Sequence, residues 1–411
     1  MAFRDNNTNT VILDEKTAYA FNTDQPTGTV VSTVEEGNYA GNNSTYGGTE
    51  VKIDYNAGQI IQGSPNFNSS RGSANLSSVL TIPNTIDEET FYDNTNIINT
   101  RMSESVAIGH NLIVLGAPQD DTAGTNRGAV HVYDQSLTGN NIAATKFVLT
   151  ADDGADGDAF GSDVAIGNGR IVVGANYSDA GGTDSGAAYI YTLGGNLIKK
   201  VIPTDSAQQD YLGTSCAVGN GRIVVGAYGN DDNGLTSGSA YIYDLYGNNE
   251  IKINAPDGAA GDSFGKSVAI GNGRVVVGAP LADNGSNSNA GAAYVYDLLG
   301  NYLFKLTGTG TAEHFFGTDV AAASGHIVVG EPGNDSRVYI FDASTGSLLD
   351  NTQVLYGFGQ VQLPDLGHRV AIGQGVAVFG STYSSDYGWY ATLSLNHNTV
   401  HYLDLLNETA L

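Results

Sequence analysis

Apolar residues in this chain fall into short runs separated by polar loops rich in Gly, Asn and Asp. In residues 257–280, DGAAGDSFGKSVAIGNGRVVVGAP, the run SVAI predicts a short strand, GNG a tight turn and RVVVGAP a second strand. Asn-Gly between apolar runs suits a hairpin turn with positive φ, which glycine adopts without steric cost. A polar loop follows; GAAYVYD then alternates as a third strand, and after LLGN the segment YLFKLTG reads as a fourth. A glycine- and tyrosine-rich, lysine-poor composition favours strands and turns over long helices.

The pattern repeats. The valine of SVAIG or DVAIG recurs at Val106, Val164, Val268, Val320 and Val370, with Cys216 in the same place, at steps of 58, 52, 52, 52 and 50 residues. Ten residues after each marker stands a glycine: Gly116, Gly174, Gly226, Gly278, Gly330 and Gly380. A worn copy upstream, GGTEVKIDYNAGQIIQGSP, has Val51 as its marker and Gly63 displaced by a two-residue insertion. Four short antiparallel strands in about 50 residues is the repeat length of a propeller blade. The expectation is an all-β, seven-bladed β-propeller of four-stranded antiparallel blades over residues 47–411, with residues 1–46 as an N-terminal arm or extra strands. Phe160, Leu212, Phe264, Phe316 and Leu366 each precede a glycine four residues before a marker, where a large apolar group can fill the wedge between sheets. Repeated residues of this kind point to architecture rather than catalysis.

At these residues the chain resembles the FG-GAP repeat family in its bacterial and viral form. The pairs Phe160-Gly161, Phe264-Gly265 and Phe316-Gly317 carry the likeness, with the triplets Gly116-Ala117-Pro118 and Gly278-Ala279-Pro280 and the near match Gly330-Glu331-Pro332. It spans roughly residues 47 to 395. The family includes the integrin α head, a seven-bladed propeller used in adhesion, so the resemblance implies a propeller and favours binding over catalysis. Some integrin blades carry calcium loops of Asp-x-Asp-x-Asp-Gly type. Here Asp121, Asp179, Asp231 and Asp283 stand five residues after the blade glycine, and they are the candidate calcium ligands, calcium being the one candidate cofactor. None of the four loops has the full triplet of acids, and Asp beside Gly also makes side-chain-to-backbone turns.

Charge narrows the partners. The chain has 411 residues, with 43 acidic against 17 basic and a net charge of −26. Such a surface repels phosphate backbones and anionic membranes, so neither nucleic acid binding nor membrane insertion is expected. No apolar run approaches the roughly 18 residues that span a bilayer. The polar start MAFRDNNTNT lacks a secretory leader, which leaves lysis of a virus-producing cell or a dedicated export system as routes outward. One cysteine, Cys216, excludes an internal disulfide framework. Seven histidines are scattered, with no His-Glu-x-x-His and no Gly-x-Ser-x-Gly, so no enzyme is expected.

Function then belongs where the copies differ. The loop between second and third strands is long in copies two to five and short in copies six and seven, giving an uneven face. Tyr383, Tyr387, Trp389 and Tyr390 offer aromatic contacts in the low sector, or else fill the last blade. The reading is a non-enzymatic binding or structural component of a bacteriophage virion, such as a tail, fibre or capsid-surface protein. Its partners would be other virion or cell-surface proteins or a host-surface glycan. The alternatives are a bacterial surface or secreted adhesin, and a glycan hydrolase or lyase on a propeller scaffold.

Overall fold

The computed structural model describes residues 104–134, 146–308, 312–333, 336–351, 367–373 and 377–380 in full, together with the backbone of further strands between residues 3 and 403. Strands and turns make up the described residues, which contain no helix. Copy five shows the plan. Its inner strand Ser267–Gly271, second strand Arg274–Ala279, third strand Ala292–Asp297 and outer strand Tyr302–Leu306 hydrogen-bond in sequence order as one antiparallel sheet. Copies two, three and four build the same four-stranded sheet. In copy six the outer strand Leu348–Tyr356 is longer, and Thr10–Leu13 pairs beside it in parallel. A second N-terminal pair, Tyr19–Phe21 with Val30–Thr33, forms a separate hairpin.

The turns follow the sequence. Asn272 and Gly273 have φ of 54° and 72°, the two positive values that let a two-residue loop follow the twist of its strands. In the upstream copy Glu50 pairs with Gly63 as Ser215 pairs with Gly226, so Val51 takes the marker place and the extra residues fall between Asp54 and Gln59.

The sheets meet through the Phe-Gly and Gly-Ala phrases. Phe160, Leu212, Phe264 and Phe316 are fully buried, as the wedge reading expected; Leu366 lies outside the described residues. Phe160 packs edge-on to Tyr189 and Tyr191, at centroid distances of 5.2 and 6.2 Å, and shares one apolar cluster with Val114, Val130 and Val132 of the preceding sheet. Burial of one such ring contributes about 1.5–3 kcal/mol. The glycines need another explanation. Gly265 donates its N–H to Gly278 O of its own copy at 3.0 Å, while its own carbonyl faces Gly226 of the preceding copy. A Cβ on Gly226 would sit far closer to that carbonyl oxygen than side-chain atoms come. Gly116, Gly174, Gly278 and Gly330 face Gly161, Gly213, Gly317 and Gly367 in the same manner. Three backbones therefore meet where no side chain fits.

Polar staples complete the joint. The Cys216 N–H donates to Asp163 Oδ2 at 2.5 Å, Val268 N–H to Ser215 Oγ at 3.0 Å and Val370 N–H to Asp319 Oδ2 at 2.8 Å, each from one copy to the one before. At the other end of the strands Asn168, Asn220 and Asn272 accept the turn-glycine N–H of the following copy at 3.0–3.2 Å. The Asn of GNG thus shapes its turn and also joins it to the next sheet. Inner strands of copies two to seven line a cavity of about 480 Å³, with Ala107, Ala165, Ala217, Ala269, Ala321 and Ala371 among its walls.

Candidate functional site

Antiparallel order puts the loops between second and third strands on the same face as the segments that lead into each next inner strand. The two kinds of loop are latched. Phe160 donates to Arg127 O, Ala159 to Asn126 O and Gly157 to Thr125 O, at 2.9–3.2 Å; Phe264, Ser263 and Gly261 do the same to Ser237, Thr236 and Leu235. This explains the long loops of copies two to five as joints between neighbours. In copy six only five residues separate Glu331 from Arg337, so that sector is low, as expected.

The four candidate calcium ligands occupy equivalent places in these loops. Asp121 Oδ1 accepts the N–H of Asn126 at 2.6 Å, Asp179 that of Asp184 at 2.8 Å, Asp231 that of Thr236 at 2.7 Å and Asp283 that of Asn289 at 3.0 Å. Each closes its own loop in a side-chain-to-backbone turn. They stand in four separate copies, and no group of three or more His, Cys, Asp or Glu side chains gathers among the described residues. Calcium takes six to eight oxygens. One or two aspartates per loop, the candidate one already accepting a backbone amide, do not fit that demand.

The FG-GAP repeat family matches residues 102–133, 146–191, 196–243 and 248–296. The chain carries FG-GAP repeats. No curated protein matches it.

Within the FG-GAP copies a further constellation escaped the sequence reading. Tyr189 of the third strand donates its hydroxyl to Asp153 Oδ1 at 3.0 Å; Lys200 of the outer strand reaches Asp153 Oδ2 at 2.9 Å and lies 5.0 Å over the tyrosine ring. Tyr241, Asp205 and Lys252 repeat it, as do Tyr294, Asp257 and Lys305. Burial raises the Asp153 and Asp257 carboxyls, but hydrogen bonds from the lysine and the tyrosine outweigh it and hold both below the usual range. A signal existed in the constant spacing of 47, 47 and 48 residues between each aspartate and its lysine.

Asp158, Asp210 and Asp262, two residues before the Phe or Leu, accept the N–H three residues back at 2.8–2.9 Å and so close a turn. Burial raises all three carboxyls. Copy six breaks this rule. His314 stands where Asp262 stands in copy five, and Glu331 replaces Ala279. His314 Nδ1 lies 3.1 Å from Glu331 Oε1, to which Tyr339 also donates at 3.0 Å. Glu331 is wholly buried, and that burial raises its carboxyl against the pull of His314 and Tyr339.

The aromatic candidates are placed in part. Trp389 and Tyr390 begin the strand Trp389–Ser394 and pair with Ser381 and Gly380; Tyr383 and Tyr387 lie outside the described residues. Cys216 is buried, and burial pushes its thiol well up, away from reactivity. No helix among the described residues is long and apolar enough to cross a membrane.

Proposed function

We infer that this FG-GAP protein is a seven-bladed β-propeller that holds another macromolecule on its loop face and performs no catalysis. One observation carries the reading. In the matched copies the repeated polar groups serve the joints and latches, so what remains for recognition is the loop face, where copies differ. Ring closure has its own support: Arg369–Gly373 packs on Glu50–Asp54, which packs on Ser105–Gly109, and inner strands touch in order from there to copy seven. A closed ring also removes the exposed inner edges of the sheets.

Within this reading the protein is a surface component of a bacteriophage particle, in its tail, fibre or capsid, that docks subunits or attaches to a host. The acidic chain and the adhesive use of related propellers favour an outward-facing role. Immunogold labelling of purified particles and of intact cells tests it. Label on the particle exterior is expected; label confined to the cell interior would overturn it. Incubation with host-surface glycans should release no reducing sugar. The loop aspartates act in folding, so calcium and then chelator should leave the melting midpoint unmoved, whereas a bound ion would raise it by mass action.

A further inference from the structure

Three tyrosines and a lysine meet on the loop face across copies three to five. Tyr177 follows the second strand of copy three, Tyr211 leads into copy four, Tyr228 follows the second strand of copy four, and Lys266 leads into copy five. Tyr177 and Tyr211 meet edge-on at 5.8 Å, Tyr211 and Tyr228 stack at 5.1 Å, and Lys266 Nζ lies 4.2 Å over the Tyr228 ring.

Each of the four departs from the repeat. The place of Tyr177 holds Gln119, Gly229 and Leu281 in the other long-loop copies; that of Tyr228 holds Pro118, Asn176 and Pro280. Ser162, Thr214 and Thr318 stand where copy five has Lys266. Tyr211 takes a φ of 54° at a place that holds Ala159, Ser263 and Phe315 in copies three, five and six, all with φ between 55° and 57°. What sets it apart is its hydroxyl, which Ala159 and Phe315 lack and which a ring carries outward from the backbone as Ser263 cannot. The joints work without any of these side chains, yet the four departures converge.

Their polar ends are unspent. Core tyrosines give their hydroxyls to protein acceptors, as Tyr189, Tyr241 and Tyr339 do. Among the described residues Tyr177, Tyr211 and Tyr228 give theirs to none. Lys146, Lys199, Lys200, Lys252 and Lys305 each reach an oxygen acceptor, whereas Lys266, exposed on its loop, reaches none among the described residues. The flanking loops desolvate the ammonium although the residue as a whole is exposed, and Arg369 adds its charge nearby; both lower the lysine's pKa. In a chain of charge −26 this is a cationic spot held open beside an aromatic row.

We propose that Tyr177, Tyr211, Tyr228 and Lys266 bind a carboxylated glycan, which deepens the binding reading above and rests on it. Tyr177, 45% exposed, offers ring area to the C–H face of a sugar. The hydroxyls of Tyr211 and Tyr228 meet sugar hydroxyls, and the Lys266 ammonium pairs with the carboxylate. The row is longer than one sugar ring, so the ligand is an oligosaccharide. The acidic surround rejects densely charged polymers and admits a sparsely charged one.

Titration calorimetry of the full chain tests this with an oligosaccharide ending in N-acetylneuraminic acid, one of alternating glucuronic acid, their carboxyl-reduced counterparts and an acidic peptide. One of the acidic sugars should bind, and its reduced counterpart should bind about tenfold more weakly, the loss of one charge-assisted contact. Lys266→Gln should erase that preference, Lys266→Arg should keep it, and Tyr177→Ala should weaken both forms alike. Melting curves establish that the variants fold. Unchanged acid affinity in Lys266→Gln would overturn the site, as would a peptide binding as tightly as the sugar or no binding of either acidic sugar at millimolar levels. Attachment of the wild type to host cells despite such a failure would retire this site alone; no attachment at all would retire the binding reading with it.

Discussion

Copies five and six build the same sheet from different chemistry. Copy five buries Tyr294 against Asp257 and Lys305 and keeps Asp262 as a turn acceptor, with Ala279 small beneath. Copy six puts Asn351 opposite Tyr339 where copy five has Lys305 opposite Tyr294, and Thr309 holds the sequence place of Asp257. Its tyrosine hydroxyl finds a carboxylate all the same, because Glu331 rises from the strand and His314 takes the turn position. Four changes thus preserve one requirement: a buried hydroxyl must have an acceptor. The glycine joint does not vary, since Gly278 and Gly330 face Gly317 and Gly367 alike.

The largest effect should come from what the two copies share. Gly278→Ala and Gly330→Ala should each destabilise by about 3 kcal/mol or more, because backbone rather than a yielding side chain stands in the way. Gly273→Ala, with open space around it but a φ of 72°, should cost about 1–2 kcal/mol. Urea denaturation reads all three, and equal losses at joint and turn would break the account of the joint.

Next comes the exchange itself. His314→Asp places a second carboxyl beside buried Glu331 and should cost about 3 kcal/mol. Adding Glu331→Ala restores the copy-five pair and should recover part of it, with a coupling of about 1–3 kcal/mol in the double-mutant cycle. Additive losses would show the two changes to be unrelated.

The pH dependence should differ in sign between Glu331 of copy six and Asp257 of copy five. The Glu331 carboxyl is raised by folding, so its ionisation favours the unfolded chain; relative to Glu331→Gln, the wild type should lose stability as pH rises from 4.5 through the folded value. The Asp257 carboxyl is lowered, so its contribution is present above the unfolded value and fades as pH falls through the folded one. Denaturant midpoints across pH 3 to 8 check both (a range chosen to span the ordinary carboxylate values, about 3.9 to 4.3). The smallest effect belongs to Lys305→Met, about 0.5 kcal/mol, because Asp257 is largely exposed.

Much of this was legible in the chain. Period, strand order, Asn-Gly turns and the buried Phe and Leu follow from local pattern, which a 52-residue step repeats until it cannot be missed. Contacts between copies were not. The Asn220 amide oxygen joins Gly273, and Tyr241 joins Asp205, because strand register and sheet packing bring distant residues together. The loop aspartates read equally as metal ligands or turn formers until their backbone partners were placed. The tyrosine row drew no notice because its members come from three copies and share no spacing.

The most direct measurement is a crystal or cryo-electron structure of the full chain. Seven sheets around one axis, with residues 369–373 packed on 50–54 and each Phe-Gly glycine wedged between two Gly-Ala glycines, is the predicted result. An open stack of sheets, or inner strands of the first and last copies standing apart, would contradict it.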